Sequence, residues 1–167
     1  MKLENLNKLE IVETEALFRD CCGSSAWARA MTEARPFSSL DEMIATGEKI
    51  AGTLTQADWL EAFSAHPKIG AKKAAPAQAE RSATWSKGEQ AGMEEADQRV
   101  REDLAEANAE YEKRFGYIFI VCATGKSAAE MLGICRGRLA NSPDEEIRIA
   151  AREQRKITEI RLRKLLA

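Results

Sequence analysis

The stretch Phe115-Gly-Tyr-Ile-Phe-Ile-Val-Cys-Ala123 is the most apolar run in the chain, and its composition favours β structure. A single strand cannot stand alone, and nothing else in the sequence offers it a partner. The run is therefore expected to be a buried extended segment between helices. With that segment placed, the chain reads as all-α: a single-domain, multi-helix bundle with one buried extended apolar segment.

Helix signals surround it on both sides. On the C-terminal side, Ser127 is expected to start a helix to about Ala140. Ser142-Pro-Asp-Glu145 supplies an N-cap, a proline at the first helical position and a capping glutamate for a last helix to Leu166. On the N-terminal side, Leu6, Leu9, Val12, Ala16 and Leu17 recur at helical spacing, and the pattern breaks at Cys21. A short helical piece from Ala26 to Ala34 halts at Arg35-Pro36, and Ser39-Leu-Asp-Glu42 reads as a capping box for a helix to about Ala51. Thr55 can cap the next helix, with Trp59, Leu60 and Phe63 on its apolar face; Pro67 ends it directly after His66. Gly70 to Thr84 reads as an exposed loop with room for a helical turn. Ser86-Lys-Gly-Glu89 then reads as a further capping box, opening a long charged surface helix to about Arg114.

The 167 residues suit one domain, 1–167, long enough to bury most of a compact core. Hydrophobic residues make up 44% and charged residues 31%, a mixture that folds rather than stays disordered. A net charge of -2 and an isoelectric point near 5.7 give no overall positive field for phosphate backbones or anionic lipid, so neither nucleic acid nor a membrane is an expected partner. Met1 to Lys8 lacks the apolar core of a secretory signal, and the terminal Lys-Leu-Leu-Ala is not a peroxisomal address of the Ser-Lys-Leu type, which favours the cytoplasm. Cys21, Cys22, Cys122 and Cys135 form no CxxC pair, so buried reduced thiols are expected rather than a disulfide or zinc framework.

Candidate chemistry is sparse. The chain contains no GxGxxG, GxxxxGK[ST], HExxH or GxSxG motif and no histidine cluster, so no metal and no organic cofactor are expected. What remains is the chain's one histidine, His66, at a helix C-terminus, the Ser86, Glu89 and Gln90 group, and the apolar run from Phe119 to Ala123. Each has a plain structural explanation: a helix end for His66, a capping box for Ser86 and Glu89, and ordinary core for the apolar run. Two other functions use the same residues. One is a thiol hydrolase with Cys122 as nucleophile and His66 as base, although an apolar setting disfavours a thiolate. The other is a non-catalytic interaction module built on the charged stretch from Ala91 to Arg114.

Taken in order, Leu6-Asn7-Lys8-Leu9, Arg35-Pro36-Phe37, Ala65-His66-Pro67, Ser86-Lys-Gly-Glu89-Gln90-Ala91-Gly92-Met93, Asn108 to Tyr111, Arg114-Phe115-Gly116, Phe119-Ile-Val-Cys122, Arg138 to Asn141 and Lys156-Ile157 to Arg161-Leu162 are each a weak signal. Their joint order and spacing resemble the 2-oxo-4-hydroxy-4-carboxy-5-ureidoimidazoline (OHCU) decarboxylases of urate breakdown, across nearly the whole chain. The resemblance implies a cofactor-independent carboxy-lyase that yields (S)-allantoin and carbon dioxide from a small-molecule substrate, and it suggests a homodimer. It implies His66 as the catalytic histidine and Glu89 as the carboxylate paired with it. Pro67 would line the pocket, and Ser86 and Gln90 would hydrogen-bond the substrate. The backbone of Phe119, Ile120, Val121, Cys122 and Ala123 would cradle the ring amides, and Arg161 would meet the substrate's negative charge. Two departures adjoin this set: many members have Asp-Leu-Ala where this chain has Lys68-Ile69-Gly70, and a proline where it has Ile118.

Overall fold

The structure, a computed structural model, describes residues 1–70, 80–94 and 96–167. Among these residues run α1 (Leu3–Lys8), α2 (Ile11–Cys21), α3 (Ser25–Glu33), α4 (Leu40–Ala51), α5 (Gln56–Ser64), α6 (Glu80–Glu89), α7 (Gln98–Phe115), α8 (Ala128–Arg138) and α9 (Pro143–Leu166), with a 3-10 turn at Ala91–Met93. No strand occurs among the described residues, and 117–123 is extended without being part of a sheet, so the all-α expectation holds. By packing, the chain divides into two compact units, one of residues 1–62 with 155–167 and one of residues 63–154.

In the first unit, α2 packs on α3 and α3 on α4. The sequence pattern ran one helix from Leu6 to Leu17, and the structure breaks it in two. Leu9 and Glu10 are extended, each with ψ 151°, and this break resets the helical phase. The inward stripe of α2 becomes Thr14, Leu17, Phe18 and Cys21, at the i, i+3, i+4, i+7 spacing of a buried helix face. Val12 turns outward and is 79% exposed. Trp27 anchors the core: its ring meets Phe18 edge-on at 6.0 Å, and its Nε1–H donates to the Gly47 carbonyl at 3.0 Å. Gly47 is there because a Cβ would lie 3.0 Å from the Trp27 ring. The starts of α3 and α4 are closed by side chains, with the Ser24 and Ser39 hydroxyls accepting the N–H groups of Trp27 and Glu42. Arg35 gathers three carbonyls, of Thr32, Leu6 and Leu9, at 2.8–3.1 Å.

In the second unit, α7 packs on α8, and its C-terminus is closed by Gly116 at φ 81°, the left-handed position that glycine fills without a Cβ penalty. The chain then turns into the extended segment, whose alternate residues Phe119, Val121 and Ala123 join a core with Leu104, Tyr111, Met131 and Cys135. Ser127 starts α8, as the sequence indicated, and it forms with Glu130 a reciprocal capping box that the sequence reading did not name.

The expectations for Gly70 to Arg114 need correction. Residues 71–79 of the expected loop lie outside the described residues, but Glu80 to Thr84 are already helical. Ser86 and Glu89 are not a capping box; they lie inside α6. The long charged helix begins only at Gln98, capped by Asp97, whose carboxylate accepts from Val100 N–H. The reason is physical: α6 buries Ser82, Ser86 and Glu89, a polar stripe spaced four and three apart, so a search for apolar periodicity passes over it. Gly92 ends this region in close contact with the turn before α8, where a Cβ would collide with the Lys126 carbonyl oxygen.

Candidate active site

His66 lies just beyond α5, its backbone N–H donating to the Phe63 carbonyl in a last tight turn, and the imidazole is 9% exposed. Its Nε2 is 2.7 Å from Oε1 of Gln154, a fully buried side chain on α9. This contact holds the imidazole ring in a set orientation. The sequence reading did not name Gln154. Its signal would have been a polar residue on the inward face of an otherwise charged helix.

Pro67 is half-buried beside His66. Ser86 and Glu89 are buried on α6, one helical turn apart, and Gln90 follows them with its Oε1 accepting the Gly70 N–H at 2.9 Å. Gln90 therefore ties the end of α6 to the chain just after His66-Pro67. Glu89 also borders an open cleft of about 540 Å³, together with Gly92, Asp97, Lys126 and Ser127. Of the departures from the family pattern, Lys68 pairs with Glu112 at 2.5 Å, and the Ile69 carbonyl accepts from the Asn108 amide at 3.3 Å.

The extended segment is held by side chains instead of by a sheet. Arg138 donates to the Ile120 carbonyl at 2.7 Å, Glu153 accepts the Cys122 N–H at 2.8 Å, and Lys126 Nζ donates to the Cys122 carbonyl at 2.8 Å. The Cys122 peptide groups are thus already in use, which narrows the expected cradle to its other residues. Behind it, Glu146 is fully buried and receives Arg138 Nε at 2.7 Å, Asn141 Nδ2 at 2.9 Å and the Tyr111 hydroxyl. Burial first, and then the Glu146 carboxylate, push the Tyr111 hydroxyl far above its usual range, so it keeps its proton and donates. The Cys122 thiol is also pushed up, chiefly by burial, with Glu153 and Glu89 adding to the effect against Lys126. A thiol so placed is a poor nucleophile.

Arg161 belongs to the other unit, on the C-terminal part of α9. Most arginines of such a charged helix are solvated, but Arg161 is 1% exposed, and its guanidinium donates to the Asp20 carbonyl at 3.2 Å. Among the described residues no group of three or more His, Cys, Asp or Glu side chains is arranged to hold a metal ion.

The family model for OHCU decarboxylase matches residues 7–163. The chain belongs to the OHCU decarboxylase family. It is 40% identical over 160 residues to the uric acid degradation bifunctional protein of Arabidopsis thaliana, covering 95% of this chain and 48% of that one, so it spans about half the length of this relative. With the 2-oxo-4-hydroxy-4-carboxy-5-ureidoimidazoline decarboxylase of Amia calva it shares 29% identity over 173 residues, 99% of this chain and 95% of that one. A crystal structure of OHCU decarboxylase in the presence of (S)-allantoin matches with a TM-score of 0.76 at 39% identity, covering 89% of this chain and 96% of that one. Membership of the family accounts for nearly the whole chain.

Proposed function

We propose that this chain, as one functional domain over 1–167, decarboxylates OHCU to (S)-allantoin and carbon dioxide in urate breakdown, without metal or organic cofactor. His66 and Glu89 are its catalytic pair. The observation that carries the reading is a buried histidine held by a buried partner, His66 on Gln154, in the same compact unit as buried Glu89 and Ser86 and a buried extended segment held by side chains.

The chemistry asks little more of the protein. The substrate carries its own electron sink, a ring C=N bond beside the carboxylate-bearing carbon. The C–C bond to the carboxylate breaks, its electron pair moves into the ring, and carbon dioxide leaves. A proton delivered to one face of the resulting enediamine-like carbon then gives a single enantiomer. A histidine near neutrality is suited to that transfer, and a carboxylate such as Glu89 can orient the ring. Pro67 lines the pocket, Ser86 and Gln90 hydrogen-bond the substrate, and the backbone of 119–123 outside Cys122 meets the ring amides. Arg161 offers a planar fork for a carboxylate or urea oxygen, a role carried by the family resemblance.

A cytoplasmic location fits the four free cysteines, all buried. No described helix is long and apolar enough to cross a membrane. The homodimer rests on the family resemblance.

The test is to add the chain to freshly generated OHCU and follow allantoin by its circular dichroism. Optically active product should form faster than the spontaneous background; a rate equal to background overturns the reading. His66→Asn keeps a hydrogen-bonding side chain of similar reach but cannot exchange a proton near neutrality. It should lower kcat by at least about a hundredfold with helix content unchanged. A fully active His66→Asn protein would return this histidine to the role of a helix end.

A further inference from the structure

A trans peptide unit is planar and points its C=O and N–H in opposite directions, so whatever grips one aims the other. The peptide joining Ile120 to Val121 is gripped at its carbonyl by Arg138, at 2.7 Å. Arg138 is itself fixed. Its Nε and a terminal nitrogen both donate to Glu146, and its guanidinium carbon lies 4.9 Å from the centre of the Phe119 ring and 5.7 Å from that of Tyr111. The Val121 N–H is thereby turned away from Arg138. On the following peptide, Glu153 holds the Cys122 N–H at 2.8 Å, which turns the Val121 carbonyl away from Glu153.

Val121 is buried, yet among the described residues its N–H and its C=O enter no hydrogen bond. Buried backbone groups are normally paired, and each exception calls for an account. Here the flanking groups on both peptides are paired by buried or half-buried side chains, so the gap is confined to one residue. A donor and an acceptor on one residue complement a ligand edge that carries a carbonyl beside an N–H, as a cyclic ureide does.

We propose that Arg138, braced by Glu146 and Tyr111, is a positioning residue that sets the Ile120–Val121 peptide and so presents the Val121 N–H, beside its carbonyl, to the ureide edge of the substrate. This deepens the decarboxylase reading and rests on it. Arg138→Lys keeps the charge but lacks the planar fork that reaches Ile120 and Glu146 together. In that variant KM for OHCU should rise about tenfold with kcat within about threefold, because the contact holds ground state and transition state alike. The dissociation constant of (S)-allantoin, measured by calorimetry, should rise by a similar factor. In the ligand-free protein the Val121 amide resonance should move, with the change centred on 119–123. Tyr111→Phe removes one donor from Glu146 and leaves the guanidinium in place; it should give the same signature at about twofold, and it carries the test if the lysine variant does not fold. A folded variant with unchanged KM, allantoin affinity and Val121 resonance overturns the positioning role. A wild-type chain that does not accelerate loss of carbon dioxide overturns the decarboxylase reading instead, and the Val121 resonance then decides alone whether Arg138 sets this peptide.

Discussion

The two compact units use the same means to different ends. In the first, buried and half-buried side chains complete the hydrogen bonding of helix ends and turns. Trp27 serves Gly47, Arg35 serves three carbonyls, and Asn7 pairs with both backbone groups of Phe37 at 2.8 and 3.0 Å. In the second, Arg138, Glu153 and Lys126 hold an extended stretch at Ile120 and Cys122 and leave Val121, between them, to other partners. An arginine that holds backbone carbonyls is therefore no guide to function by itself. What separates scaffold from site is whether the backbone it serves is satisfied when it is done.

The largest expected effect tests the scaffold side of this contrast. Trp27→Ala empties the centre of the first unit and leaves the Gly47 carbonyl without its donor, so stability measured by chemical denaturation should drop by about 3–5 kcal/mol. The KM of the protein that remains folded should stay within about twofold of wild type. A large rise in KM would break the contrast, because it would place substrate recognition in this core.

A middle-sized effect sharpens it from the other direction. Arg161 is a residue of the first unit to which the family resemblance gives a substrate role. Arg161→Lys should raise KM about tenfold with a smaller change in kcat, since the charge stays and the two-point contact is lost. If only the melting temperature moves, Arg161 belongs with Arg35 among the residues that close the fold.

The smallest effect concerns a device that both units share. Glu42 and Asp58 in the first unit, and Glu130 in the second, are carboxylates at helix starts, held below their usual pKa by hydrogen bonds from Ser38, Thr55 and Ser127. A depressed folded pKa adds stability that is present above the unfolded value and lost as pH falls through the folded one. Melting temperature should therefore decline slightly between about pH 5 and about pH 3, and Glu42→Gln or Glu130→Gln should each flatten that decline by a similar amount. A flattening confined to one unit would show that the caps are not equivalent.

Much was legible in the sequence because it is local. Serine caps at 24 and 39 and the Ser127–Glu130 box are set by neighbours three residues apart, although only the box at Ser39 and the helix start at Ser127 were read from sequence. The Phe115–Ala123 run was read as extended by elimination, since an apolar β-prone stretch among helices has no strand to join; its first residue instead ends α7. The family resemblance placed His66 and Glu89 in order along the chain. Other features depend on contacts that no window of residues contains. Leu9 and Glu10 reset the phase of α2, and the sequence could not show it because both residues fit a helical pattern. The buried face of α6 is made of Ser82, Ser86 and Glu89, so its hydrophobic signal is absent, and Ser86 with Glu89 three residues on reads like a helix start. Gln154 meets His66 across 88 positions, and Arg138 reaches Ile120 across 18. Local capping signals mark helix starts such as those at Ser39 and Ser127; which way a buried peptide faces depends on the side chain that tertiary packing brings to its carbonyl.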